Sequence, residues 1–200
     1  EYFHNWTGNR VTVENWFYLS LKEGLTVFRE QEFSQHISQS PVSRIDQVRL
    51  LKSKQFQEDR GPMAHAVIPL YYEKIDNFYT LTIYEKGAEI IRMLKQMVGE
   101  EAFRQGMDYY FDTNDGKAVG IDNFLQAISL KSGKDLQHFR QWYTQSGTPE
   151  VKVKTNFDEK GRLFDIHLQQ INPSTPDQDT KNSLLIPLNF ALFDRETGEE

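Results

Sequence analysis

The chain has 200 residues, enough for one or two domains with a core of their own, and much of its 38% hydrophobic content comes from 14 Phe and 9 Tyr. A net charge of −6, with the 23 basic residues dispersed, argues against nucleic acid or an acidic membrane surface as a partner. There is no cysteine, which removes disulfides and thiolate metal sites and is compatible with a reducing cytoplasm, and no stretch approaches the roughly 20 apolar residues of a membrane span.

Glu1 and His4 are placed on a first helix, which Asn9, Arg10 and the β-branched Val11, Thr12 and Val13 bring to an end. From Glu14 onward apolar residues recur at Trp16, Leu19 and Val27, with Phe17, Leu21, Leu25 and Phe28 widening the stripe, so a largely buried helix is expected. Residues 38–43 form a loop, and Ser43 caps a helix running through Ile45, Val48, Leu51 and Phe56. Residues 57–69, with Gly61, Pro62 and Pro69, read as an irregular connection in which His65 is an ordinary surface or buried polar residue.

A strong helix then runs from Tyr84 through Ala88, Ile91, Leu94 and Val98 to Gly99, and another from Glu100 through Phe103, Met107, Tyr110 and Phe111 to a turn at 113–116. A third starts at Asp122 as its cap and carries Phe124, Leu125 and Ile128 before Gly133; a fourth spans Asp135, Phe139, Trp142 and Tyr143 up to Gly147. Four short amphipathic helices with brief turns describe a bundle, in which the aromatic stripes are core packing and His138 faces inward as a structural residue. Gly147, Thr148 and Pro149 mark the one boundary, giving segments 1–147 and 148–200. Beyond it period two takes over in Val151 and Val153, in Phe164, Ile166 and Leu168, and in Ile186, Leu188, Phe190 and Leu192, which predicts three half-buried strands. Residues 158–161 make a hairpin turn and 172–182 a loop.

The chemistry concentrates at the start. Residues four apart on a helix share a face, so two histidines at that spacing can hold one metal with a glutamate beside the bound water. Glu1 and His4 are the last two members of such an H-E-x-x-H pattern, whose first histidine would stand immediately before Glu1. Glu23 follows His4 by 19 positions, an interval that lets one helix end and a second return a carboxylate to the metal. It also lies in the middle of an apolar stripe, where a carboxylate is costly unless paired or bound to a cation. Glu30, seven residues on, falls on nearly the same face and can hold a ligating histidine from behind.

At these residues the sequence resembles the bacterial aminopeptidase N family of zinc metallopeptidases. The resemblance is carried by Glu1-Tyr-Phe-His-Asn-Trp-Thr-Gly-Asn-Arg10, by Leu19-Ser-Leu-Lys-Glu-Gly-Leu-Thr-Val-Phe28, by Phe78-Tyr-Thr-Leu-Thr-Ile-Tyr-Glu-Lys-Gly-Ala88 and by Arg140-Gln-Trp-Tyr-Thr-Gln-Ser-Gly-Thr-Pro149. It implies an α+β fragment: the mainly helical C-terminal part of a thermolysin-like catalytic domain over 1–147, followed over 148–200 by the first strands of an incomplete antiparallel β-sandwich. By the same resemblance Glu1 matches the glutamate that activates the zinc-bound water, His4 and Glu23 match the second and third zinc ligands, and Tyr84 matches the tyrosine that donates to the tetrahedral intermediate. Glu30 matches an acidic residue behind the ligands, and Val27 and Tyr79 lie near the substrate cleft. One zinc ion per complete site, peptides with a free N-terminus as substrates and a cytoplasmic location are implied; neither nucleic acid nor membrane is.

Three departures bear on activity. The first zinc histidine, the upstream Gly-x-Met-Glu-Asn motif that grips the substrate amine, and the large C-terminal helical domain of bacterial members lie outside these 200 residues. The segment alone is therefore expected to bind zinc weakly, to cleave little, and to expose apolar surface. Two other readings stay open: a non-catalytic scaffold piece, and a related zinc epoxide hydrolase.

Overall fold

The computed structural model describes residues 1–39, 41–194 and 196–199. Helix α1 (Leu19–Ser38) is its central element. Leu19, Leu21, Leu25 and Phe28 spread apolar groups over more than one face, so the first half of α1 is buried nearly all round and takes Glu23, Gly24, Thr26 and Gln31 inside with it. A 3-10 turn (Trp16–Tyr18) leads in, with Asn15 Oδ1 accepting from the Phe17 amide. The first residues form a 3-10 turn (Tyr2–Asn5) in place of the expected α-helix, because Gly8, at φ +147°, bends the chain after a single turn. Strand β1 (Thr12–Val13) then pairs in parallel with β2 (Ala118–Val119).

One helical run covers residues 42–60: α2 (Val42–Leu50), a π-turn (Leu51–Gln55) and α3 (Phe56–Arg60). It begins behind Pro41, whose fixed φ suits a helix start, so Ser43 lies inside the helix and does not cap it. It also reaches Arg60, past the predicted break at 57. A second π-turn (Thr82–Lys86), in which the Gly87 amide reaches back five residues to Thr82 O, leads into α4 (Gly87–Val98). Next come α5 (Glu100–Asn114) and α6 (Ile121–Ser132), which ends at the left-handed Gly133. Asp122 does not cap α6. The start falls at Gly120, whose amide donates to Asn123 Oδ1, while Asp122 takes Arg140 at 2.6 Å and its carboxyl is held below the usual range by that contact. The fourth predicted helix shrinks to α7 (Gln141–Thr144): an Asp135 side-chain turn and three-residue backbone bonds from Gln141, Trp142 and Tyr143 replace the α-helical ladder. His138 is exposed, and its Nε2 donates to Ser183 O, so it faces outward and not into the bundle.

The main core joins Leu21, Leu25 and Phe28 of α1 to Ile90, Ile91 and Leu94 of α4, Phe103, Met107 and Tyr110 of α5, and Phe124 and Ile128 of α6, with Phe139, Trp142 and Tyr143 closing one end. A smaller cluster of Leu19, Phe78 and Ile83, with Phe17 and Tyr84 against it, lies where the second π-turn meets α1. There the backbones approach closely at Gly24 and Gly87. A Cβ on Gly24 would stand 2.9 Å from the Gly87 carbonyl carbon, whereas a Cβ on Gly87 would meet nothing nearer than 3.4 Å.

After α7, β3 (Glu150–Asp158) and β4 (Leu163–Ile171) form an antiparallel hairpin that pairs Val153 with Leu168 and Phe157 with Phe164. The turn is 159–162, with Arg162 in the left-handed position and Asp158 Oδ1 accepting from the Lys160 amide. The alternation predicted here sets the faces correctly, and Val151 and Ile166 are half-buried, but Val153, Phe157, Phe164 and Leu168 are exposed, since among the described residues no second layer covers them. The third predicted strand does not form. At its approach, Gln170 accepts from the Leu184 amide and donates to Leu184 O, and Trp142 Nε1 donates to Leu185 O, so side chains occupy the backbone groups a ladder would use. Gln145 does the same for Asn182.

The asymmetry at the glycine crossing gives a test. Gly24→Ala forces backbone against backbone and is expected to destabilise by about 1–3 kcal/mol. Gly87→Ala is expected to lie within ~1 kcal/mol of the parent, with the better helix propensity of Ala in its favour. Denaturant midpoints of the two variants check this; equal losses would contradict the crossing geometry.

Candidate metal centre

Two elements bring the polar groups together. The N-terminal turn carries His4, and α1 carries Glu23. The turn is pinned to α1 by Arg29, whose guanidinium donates to Phe3 O and Thr7 Oγ1 and lies over the Phe3 ring, and whose pKa burial pulls down. Thr7 and Thr26, both buried, share a 2.8 Å hydrogen bond, and Thr26 Oγ1 donates to Thr7 O.

These groups fix the imidazole. His4 Nδ1 lies 3.2 Å from Thr7 O and 3.2 Å from Thr26 Oγ1. A carbonyl can only accept, so Nδ1 carries the proton and Nε2 turns the other way. There it stands 3.1 Å from Glu23 Oε2, whose side chain is 7% exposed. An imidazole lone pair and a carboxylate oxygen facing each other at that distance require a positive centre between them, a proton or a metal ion. Two donors each about 2.0–2.1 Å from one tetrahedral ion stand about 3.3–3.4 Å apart, so the pair suits zinc in chemistry and needs to open only slightly to admit it. The other Glu23 oxygen takes Lys22 Nζ. Gly8 is needed beside the ring, since a Cβ there would lie 2.9 Å from Nδ1. Among the described residues no third His, Cys, Asp or Glu completes a metal-binding group.

Tyr84 reaches the same carboxylate from the π-turn. Burial, the Glu23 charge and the neighbouring Tyr79 push its phenol up to about 12, so it keeps its proton well past neutral pH. Tyr79 is exposed, with its ring 6.3 Å from that of Tyr84. The remaining sequence candidates are not drawn into this group. Glu1 is exposed, with its backbone O accepting from the His4 amide. Glu30 is exposed and accepts from Ser34 Oγ, away from His4, whose supporting contacts come from Thr7 and Thr26. Val27 is half-buried at the edge of the main core.

Thr7, Gly8 and Thr26 support the imidazole without a residue pattern that marks them as site residues. A glycine in His4-Asn-Trp-Thr-Gly8 was the available signal; the two threonines carried none, since their partners are fixed only by the turn meeting α1. His65 is a structural polar residue as expected: its Nδ1 donates to Ala66 O and its Nε2 lies 3.0 Å from Thr80 Oγ1.

Residues 1–143 match the peptidase family M1 domain, and residues 147–200 match a domain of unknown function (DUF3458) with an Ig-like fold. Aminopeptidase N of Escherichia coli is 52% identical over 196 residues, which cover 98% of this chain and 22% of that protein. Aminopeptidase N of Haemophilus influenzae is 50% identical over 97% of this chain and 22% of its own length. Among solved structures, Legionella pneumophila aminopeptidase A in complex with aspartic acid aligns with a TM-score of 0.75 and 37% identity, over 86% of this chain and 19% of that one. The chain thus spans about a fifth of the length of these relatives. With the family domain matched over 143 of 200 residues, and with its fold and its likeness to bacterial aminopeptidases in agreement, the chain belongs to peptidase family M1.

Proposed function

We propose that this chain supplies part of the zinc site, and the phenolic donor, of an aminopeptidase that releases N-terminal residues from peptides. The observation that carries this reading is His4 Nε2 facing the buried Glu23 Oε2 at 3.1 Å, with Tyr84 near enough for the Glu23 charge to raise the pKa of its phenol. Residues 1–147 then belong to the catalytic domain and 148–200 to the start of a β-sandwich domain. A cytoplasmic location, implied by the resemblance, goes with the same reading; no helix among the described residues is long and apolar enough to cross a membrane.

His4 and Glu23 would hold the ion, with a further ligand from the residue preceding Glu1. Zinc, when bound, lowers the pKa of a water toward neutrality and polarises the scissile carbonyl. Thr7 and Thr26 keep the His4 lone pair on Nε2 directed at the site. Glu1, which the resemblance puts at the base position although it stands outside this group here, would take the proton of the attacking water and return it to the leaving amine. Tyr84, still protonated at neutral pH, donates its hydrogen bond to the oxygen on which negative charge develops.

Four variants of the full-length protein test this. Glu23→Gln should lose zinc from a single ion per chain, by metal analysis. Thr26→Val should weaken zinc affinity about tenfold while Thr26→Ser holds it, because only the hydroxyl supports Nδ1. Tyr84→Phe should keep its zinc and lose roughly 10²–10³ in kcat toward aminoacyl substrates. Zinc content indifferent to Glu23 would overturn the metal assignment, and an unchanged kcat in Tyr84→Phe would remove the phenol from the reaction.

A further inference from the structure

The π-turn that carries Tyr84 is held from outside by one face of a neighbouring helix. Gln55, Glu58 and Asp59 stand at i, i+3 and i+4 at the end of the helical run formed by α2 and α3 and so share a face. Opposite them are Thr82 and Lys86, the first and last residues of the π-turn. Glu58 Oε1 accepts from the Thr82 amide at 2.8 Å and from Thr82 Oγ1 at 2.5 Å, and Glu58 Oε2 accepts from the Leu81 amide at 3.4 Å. Gln55 Nε2 donates to Thr82 Oγ1 at 3.3 Å. At the other end, Asp59 Oδ2 accepts from Lys86 Nζ at 2.8 Å. Gln55, Asp59, Thr82 and Lys86 are all buried.

The first amides of a helix have no partner of their own, and a carboxylate that accepts from them also meets the positive end of the helix dipole. Glu58 does this for a turn whose register is wider than α: the Gly87 amide bonds Thr82 O, five residues back. Tyr84 sits two residues into that turn, so the direction its phenol takes depends on Thr82 staying where Glu58 holds it. Relaxation to the ordinary four-residue register would swing Tyr84 around the helix axis.

We propose that Glu58 is a positioning residue for Tyr84, fixing the phenol over the metal-ligand pair by anchoring the first residue of its π-turn. The assignment rests on the reading of Tyr84 as the phenolic donor. It contacts neither His4 nor Glu23, so its loss leaves the ion in place.

The test uses the full-length protein with Glu58→Ala, Glu58→Gln, Tyr84→Phe and the double variants, scored for kcat, KM and zinc content. Glu58→Ala should lower kcat by about 10–100-fold, the scale of a misplaced reacting group, with KM and zinc within about twofold of the parent. Glu58→Gln keeps one accepting oxygen for Thr82 and should recover most of that loss. In the Tyr84→Phe background, the Glu58 variants should lower kcat no further, since Glu58 acts through the phenol. A Glu58 defect of the same size with and without the phenol overturns the assignment and leaves Tyr84 standing. Tyr84→Phe at parental kcat overturns the reading of Tyr84 and the assignment with it. Should Glu58→Ala fail to accumulate, Glu58→Asp, whose shorter side chain no longer reaches the Thr82 amide, decides by the same comparison with and without Tyr84→Phe.

Discussion

A carboxylate buried in the first half of α1 organises the helical part of this protein. Glu23 lies among Leu19, Leu21, Leu25 and Phe28, where an unpaired charge would be expelled or neutralised. Lys22 takes one oxygen, His4 Nε2 faces the other at 3.1 Å across the candidate ion position, and the Tyr84 phenol lies near enough to feel the charge. Each requires backbone to come close. The π-turn approaches α1 at Gly24 and Gly87, and the N-terminal turn approaches at Gly8. The glycines are therefore part of the electrostatics, since without them the groups that compensate Glu23 stand too far off to do so.

The same constraint separates what could be read in the sequence from what could not. The buried helix around Glu23, the helix ends at Gly99 and Gly133, and the alternation in Val151 and Val153 are local patterns, and each corresponds to an element. His4 and Glu23 were legible as a pair because spacing along the chain fixed their relation. What failed had a distant partner. Asp122 looks like a cap, yet Arg140 claims it; residues 186–192 alternate like a strand, yet Gln170 and Trp142 take the backbone groups at 184 and 185. Glu58 gave no signal at all, because its partners Leu81 and Thr82 lie more than twenty residues on and a π-turn has no period of its own.

The strands add a different kind of constraint. A two-stranded hairpin with Val153, Phe157, Phe164 and Leu168 open on one face is marginal in water by itself. An Ig-like sandwich would bury that face under a second sheet, which accords with the match over 147–200. Meanwhile the hairpin is fastened to the helical part through polar side chains. Lys181 Nζ donates to Ser146 O, Ser146 Oγ, Thr175 Oγ1 and Gln178 Oε1, and burial lowers its pKa despite the nearby Asp177. Such a junction fixes orientation more than it adds stability, because each of these groups surrenders water to make its bonds.

That junction continues into the site. Lys86, which ends the π-turn bearing Tyr84, donates both to Asp59 and to Gly147 O, and Thr148 Oγ1 donates to the same Asp59 oxygen at 2.7 Å. The side chains of Lys86 and Asp59 are 8% and 0% exposed, and breaking such a pair from one side leaves a buried charge alone, a penalty of about 3–5 kcal/mol. The residues that close the helical part are thus bonded to the far end of the turn whose near end Glu58 holds. The π-turn that carries Tyr84 depends on both ends, so the passage from helices to strands at Gly147 belongs to the architecture of the site as much as to the boundary between two folds.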